Sequence, residues 1–158
     1  MILHLRELFD IEGEYKDIDY LISPEEIGEY QSYVFTAPIK VHGRVQNRAG
    51  IVTLMFDTVT TLSLTCDRCL KEFERTVGPS FSHTLVRGLE SDEYDYDEYV
   101  VCERDVLDLN ELALADLVLS LPTKILCKED CKGLCPVCGH DLNEGGCGCS
   151  DPSRGQQK

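Results

Sequence analysis

The sequence predicts an α+β fold: an antiparallel sheet, with barrel-like closure as the further expectation, one buried helix and a cysteine-rich zinc-binding C-terminal segment. Three observations carry this. From Tyr33 onward, apolar and polar residues alternate with a period of two. A single helical pattern spans Asp108 to Leu121. Eight of the nine cysteines fall into two groups, at 66–69 and 127–149.

The elements follow in chain order. Residues 1–32 form an acidic N-terminal segment. In the next stretch Tyr33, Phe35, Ala37, Ile39, Val41 and Val45 share one face, and Thr36, Lys40, His42 and Arg44 share the other. Asn47-Arg48-Ala49-Gly50 is a turn signal. A second strand places Leu54, Phe56, Leu62 and Leu64 in phase, among threonines that favour it. A third runs from Glu72 to Val86 with Phe73, Val77, Phe81 and Leu85 in phase, broken or bulged at Gly78-Pro79. Short consecutive alternating strands argue for an antiparallel sheet with one solvated face. Residues 90–98 (ESDEYDYDE) read as a solvated acidic loop, with docking of a basic partner as the sharper alternative. Tyr99 to Cys102 suits a short strand.

Asp108 with Glu111 makes a capping-box-like helix start, and Pro122 marks the stop. Leu114, Leu117, Val118 and Leu121 share a face, while Leu112, Ala115 and Leu119 cover much of the rest. This predicts a helix well buried against the sheet. The domain reading is thus sheet plus helix over 33–126, a cysteine-rich segment at 127–150 packed on the same domain, and a disordered polar tail at 151–158.

Composition narrows the function. The chain of 158 residues has 29 acidic and 15 basic residues, a net charge of −14. A field of that sign repels phosphate backbones and favours basic partners. No apolar run reaches bilayer length, and Arg6 and Glu7 interrupt any signal-peptide core, so the expected location is cytoplasmic. Thiols stay reduced there, which points the cysteines toward metal or redox chemistry. No G-x-S-x-G, P-loop or dinucleotide fingerprint occurs, and His4, His42, His83 and His140 are scattered. The expectation is a protein that is not an enzyme.

The cysteine spacing is the specific signal. Cys66-Asp-Arg-Cys69 is one C-x2-C pair, and Cys135-Pro-Val-Cys138-Gly139 is a second. Cys127, Cys131, Cys147 and Cys149 bring the total to eight thiols, enough for two tetrahedral four-sulfur zinc sites. Gly139 permits the positive φ such turns use. The shortest loops give one site to Cys135, Cys138, Cys147 and Cys149. The other then joins Cys66 and Cys69 to Cys127 and Cys131, with exchange of pairs as the alternative. His140 could replace one sulfur. Cys102 is left over as a core thiol. A saturated four-cysteine site has no open position for substrate. The rival reading of Cys66 and Cys69 is a redox pair, which requires a helix N-terminus after the motif; the residues from Leu70 to Val77 read instead as a strand. Arg68, Lys71, Lys124, Lys128 and Lys132 surround the cysteines, either compensating thiolate charge or forming a local RNA-contacting patch.

The run Cys127-Lys-Glu-Asp-Cys131-Lys-Gly-Leu-Cys135-Pro-Val-Cys138-Gly-His-Asp-Leu-Asn143, ending in Cys147-Gly-Cys149, resembles the bacterial YceD-like family. Cys66-Asp-Arg-Cys69-Leu70 and Leu119-Ser-Leu-Pro122 match the same pattern. The resemblance spans about Tyr33 to Cys149. It implies a role in accumulation of large-subunit ribosomal RNA and hence in ribosome synthesis. Taken with the acidic charge, that role makes ribosome-synthesis factors or a basic ribosomal protein the expected partners, with ribosomal RNA itself as a further candidate.

Overall fold

The computed structural model describes residues 1–27, 33–88 and 99–149. The acidic stretch 90–98 and the tail 151–158, both singled out above, lie outside the described residues. Alternation builds the main sheet. In β4 (Ile39–Arg48) Ile39, Val41 and Val45 are fully buried while Lys40, His42 and Arg44 face out. Ala49 and Gly50, at φ 52° and 81°, close a two-residue turn into β5 (Ile51–Thr65). Positive φ at both turn positions matches the right-handed twist of the flanking strands, and Arg48 pairs with Ile51. In β5 the even positions from Val52 to Leu64 are buried, including Thr58 and Thr60. Their hydroxyls are satisfied by donating to the carbonyls of Pro79 (3.4 Å) and Ala37 (3.0 Å).

The stretch 72–86 is broken at Gly78-Pro79, where the sequence marks a break or bulge, into β6 (Glu72–Val77) and β7 (Ser80–Val86). Both pair with β5, as does the short β3 (Val34–Phe35). The acidic N-terminal segment supplies β1 (Ile2–His4), the short helix α1 (Arg6–Asp10) and β2 (Tyr15–Ile22). β2 runs antiparallel to β4 from Tyr15↔Gln46 to Ile22↔Ile39. Its outward Asp17 bonds Arg44 Nε at 2.6 Å, and its outward Asp19 lies 3.6 Å from His42 Nδ1.

The sheet departs from the expectation in two ways. It is mixed, because β8 (Tyr99–Val101) pairs parallel with β7. Parallel neighbours need a crossover of about a dozen residues, and the stretch between Val86 and Tyr99 has that length. It is also open, in the order β2-β4-β5-β7-β8, with no pairing among the described residues that closes it into a barrel. β1 forms a separate two-stranded sheet with β9 (Val106–Asp108).

Helix α2 (Leu109–Ser120) begins where the sequence indicates. Asp108 is the N-cap, its Oδ1 accepting from Asn110 N–H at 3.0 Å and from Glu111 N–H at 3.5 Å. Burial is a single stripe of Leu109, Ala113, Leu114 and Leu117, not the whole circumference: Leu119 is 83% exposed and Val118 only half-buried. That stripe joins Leu3, Ile18, Val41, Leu54 and Leu85 in the main core. At the edge of that stripe Asp116 Oδ2 meets His83 Nε2 of β7 at 2.6 Å.

The chain divides into two compact units: Met1–Leu62 with Arg75–Leu121, and Ser63–Glu74 with Pro122–Lys158. The first holds α1, α2, the main core and the sheet, apart from the end of β5 and the start of β6. The second holds every cysteine except Cys102. It has its own small cluster of Cys66, Cys69 and Cys131, with Phe73, Leu126, Cys127 and Leu134 packed on it.

Candidate metal centre

Two knuckles of the same design organise the second unit. In the first, Leu70 N–H donates to Cys66 O at 2.9 Å and Cys66 N–H donates to Lys71 O at 2.9 Å. In the second, Gly139 N–H donates to Cys135 O at 2.9 Å and Cys135 N–H donates to His140 O at 2.8 Å. The residue after each C-x2-C pair takes a left-handed conformation, Leu70 at φ 58° and Gly139 at φ 73°. Gly139 adopts this freely, whereas Leu70 does so under strain.

The knuckles aim their sulfurs at further cysteines. The sulfurs of Cys66, Cys69, Cys127 and Cys131 form one group, and those of Cys135, Cys138, Cys147 and Cys149 another; within each group all lie within 4.8 Å of one another. Cys66 Sγ stands 3.7 Å from Cys131 Sγ, and Cys69 Sγ stands 3.7 Å from Cys127 Sγ. That is far longer than a disulfide, and all nine cysteines are free. It is close to the edge of a tetrahedron of sulfurs about 2.3 Å from a central ion, roughly 3.8 Å. The residues therefore fit a metal ion in each group, and the grouping is the one loop entropy favours.

Electrostatics point the same way. Burial pushes the Cys66 thiol up, but hydrogen bonds from the backbone of Cys127, Cys69 and Arg68 bring it down to about 6. The backbone of Cys138 and Val137, then the Cys147 thiol, bring Cys135 down to about 6. Cys127 is pushed up to about 12 by burial and by the neighbouring sulfurs of Cys69, Cys131 and Cys66. Cys149 is pushed up to about 12 by Cys138 and Cys147. Amides thus favour the first thiolate in each group, and the neighbouring sulfurs oppose ionisation of Cys69, Cys127, Cys147 and Cys149. A divalent cation at the centre removes that opposition.

A redox pair at Cys66 and Cys69 lacks the element it requires. β6 follows the motif, with no helix N-terminus to lower a thiol, and each sulfur is matched by a third and fourth thiol nearby. His140 contributes its backbone carbonyl to the second knuckle, whose four sulfurs are already together. Cys102 stands apart in the main core, fully buried.

The five candidate contact cations are all exposed and all in the second unit. Arg68 is occupied locally, Nη1 donating to Cys131 O at 2.7 Å. Lys128 Nζ lies 3.9 Å from Asp130 Oδ1. Lys71 and Lys128 line a groove of about 420 Å³ beside the first group, together with Cys69, Phe73, Asp141 and Asn143. Lys124 and Lys132 do not line it.

Sequence reasoning missed Asp141 and Asn143. Asp141 Oδ1 accepts from the Asn143 backbone N–H at 2.9 Å and from Asn143 Nδ2 at 2.6 Å. These bonds hold the Asp141 carboxyl below its usual range. The Asp-x-Asn spacing after the knuckle was the available signal, since such residues close turns on their own backbone.

A mostly β protein with paired four-cysteine groups is the class that fold and site define. The chain belongs to the YceD family, described as large ribosomal RNA subunit accumulation protein YceD, whose model matches residues 54–156. The match takes in all nine cysteines and α2. No curated protein and no solved structure matches the chain.

Proposed function

We propose that this protein is a non-enzymatic cytoplasmic factor that supports accumulation of large-subunit ribosomal RNA by binding a basic ribosomal protein or another ribosome-synthesis factor. Family membership carries the ribosomal part of this reading. The distribution of charge supports the choice of partner. The second unit holds seven of the 15 basic and eight of the 29 acidic residues, so the excess acid belongs almost wholly to the first unit. An acidic surface of that size speeds encounter with a cationic protein and discriminates against bare RNA. Two zinc ions, each held by four thiolates, are structural in this reading. All-sulfur tetrahedral sets select zinc or iron, and zinc needs no redox partner to hold a fold.

The test is affinity for purified basic large-subunit ribosomal proteins and for protein-free large-subunit RNA across a salt series. Protein binding that weakens with salt, and no tight RNA binding, is expected. Tight binding to protein-free RNA would overturn the reading. It would favour a second one, direct RNA contact through Arg68, Lys71, Lys124, Lys128 and Lys132, for which the groove carrying Lys71 and Lys128 speaks. Charge reversal at those lysines should then reduce the salt slope.

A further inference from the structure

The segment Cys131–Cys135 carries a ligand of one sulfur group at its first residue and a ligand of the other at its last. It is clamped from both knuckles. On the side of the first, Arg68 Nη1 donates to Cys131 O at 2.7 Å and Leu134 N–H donates to Arg68 O at 3.1 Å. Gly133, at φ 76°, lies so close that a Cβ would stand 3.0 Å from Arg68 O. On the side of the second, Cys135 N–H donates to His140 O at 2.8 Å and Leu142 N–H donates to Gly133 O at 2.9 Å.

Asn143 completes the link. It lies in the loop between Cys138 and Cys147, so its position depends on the second group. Yet its amide serves the first: Nδ2 donates to Cys131 Sγ at 3.4 Å, and Oδ1 accepts from Lys132 N–H at 2.9 Å. Acceptance from a backbone N–H fixes which end of the amide is oxygen, and Asp141 Oδ1 fixes the other end by accepting from Nδ2 at 2.6 Å. Amide-to-sulfur bonds stabilise a thiolate ligand and orient it, and loss of such support costs 10- to 100-fold in metal affinity.

From this geometry we infer that the two metal sites are energetically coupled, with Asn143 as the positioning residue that transmits occupancy of the second site to the first. An ion at Cys135, Cys138, Cys147 and Cys149 orders the loop that carries Asn143. Asn143 then holds Cys131 and Lys132 in the arrangement the first ion needs. Coupling is reciprocal, so an ion in the first site favours the second by the same factor. The inference rests on the metal-binding reading above.

The experiment is a zinc titration of the reduced full chain, with affinity at the first site read by competition with a colorimetric chelator. Disabling the second site with C138S/C149S should weaken zinc at the first by roughly tenfold. N143A, with the second site intact, should weaken the first to a similar degree, and N143D should weaken it more, because a carboxylate would face both the Cys131 thiolate and Asp141. Adding N143A to C138S/C149S should cost little more. Wild-type affinity at the first site in C138S/C149S, or losses that multiply in the combined variant, would overturn the coupling. Should C138S/C149S not fold, native mass spectrometry of the wild-type and N143A chains with one equivalent of zinc decides. Coupling through Asn143 depletes the one-ion species, so its share should rise in N143A relative to the wild-type chain, and an unchanged share would overturn the coupling. Failure of the wild-type chain to bind any zinc would instead overturn the metal-binding reading itself.

Discussion

Leu70 sits at φ 58°, where a side chain crowds its own backbone, and it is 65% exposed, so little packing offsets the strain. The matching position in the second knuckle is Gly139. Replacing Leu70 with Gly should keep the knuckle and stabilise the zinc-loaded protein by up to about 1 kcal/mol, read as a higher denaturation midpoint. Cys102 presents the opposite situation, an ordinary conformation in an apolar place. Burial first, and the Asp105 carboxylate second, push its thiol up to about 11, against 9.0 for a free thiol. A raised value means that the fold favours the neutral form. Its contribution is complete below about pH 9 and is lost as pH rises through 11. Urea unfolding at pH 7 and pH 10.5 should therefore show an alkaline loss on the order of 2 kcal/mol that C102A lacks. An equal loss in both proteins would show that Cys102 is not its source.

The elements show which signals a sequence displays and which it hides. β4 and β5 were legible because each buries one face, so their period of two is unbroken. α2 was legible at its ends, through Asp108 and Pro122, but not in its orientation. Eight apolar side chains surround it, and only contact with the core selects Leu109, Ala113, Leu114 and Leu117. β2 was lost among acids, although Ile18, Tyr20 and Ile22 alternate with Asp17 and Asp19; a count of charges masked a strand. The parallel pairing of β8 depends on a crossover, which local pattern does not encode. In the metal centre the ligands were legible because thiols at these spacings have few other uses. Asn143 was not, because an asparagine in a turn is ordinary until its sulfur partner, twelve residues away in sequence, is placed beside it. The N-cap permits a direct check: D108A should cost about 1 kcal/mol in chemical denaturation, since it leaves the N–H groups of Asn110 and Glu111 without their acceptor.

At the scale of the whole molecule, two cores of different kinds divide the chain. The first unit buries a broad aliphatic core. The second buries mostly sulfur, with Phe73, Leu126 and Leu134 half-buried around it. So little apolar area does not hold a segment of that length without a cross-link or an ion. Removing zinc with a strong chelator should therefore unfold the second unit selectively. Hydrogen exchange should quicken at Leu70, Leu134 and Gly139 and stay slow along the β4–β5–β7 ladder. Simultaneous loss of protection in both units would mean that the first depends on the metal too.

The wide separation of Cys69 from Cys127, 58 residues, sets the order in which a nascent chain can assemble its sites. Synthesis at about 5–20 residues per second leaves Cys66 and Cys69 without their partners for roughly 3–12 s after they are made. During that interval they are ordinary thiols, open to an oxidant or to a competing soft metal. The thiols of the second group emerge within one short stretch and need no such wait. Zinc supply during translation therefore matters most for the first pair, and starvation for zinc should mark newly made chains at Cys66 and Cys69 before it touches chains already folded.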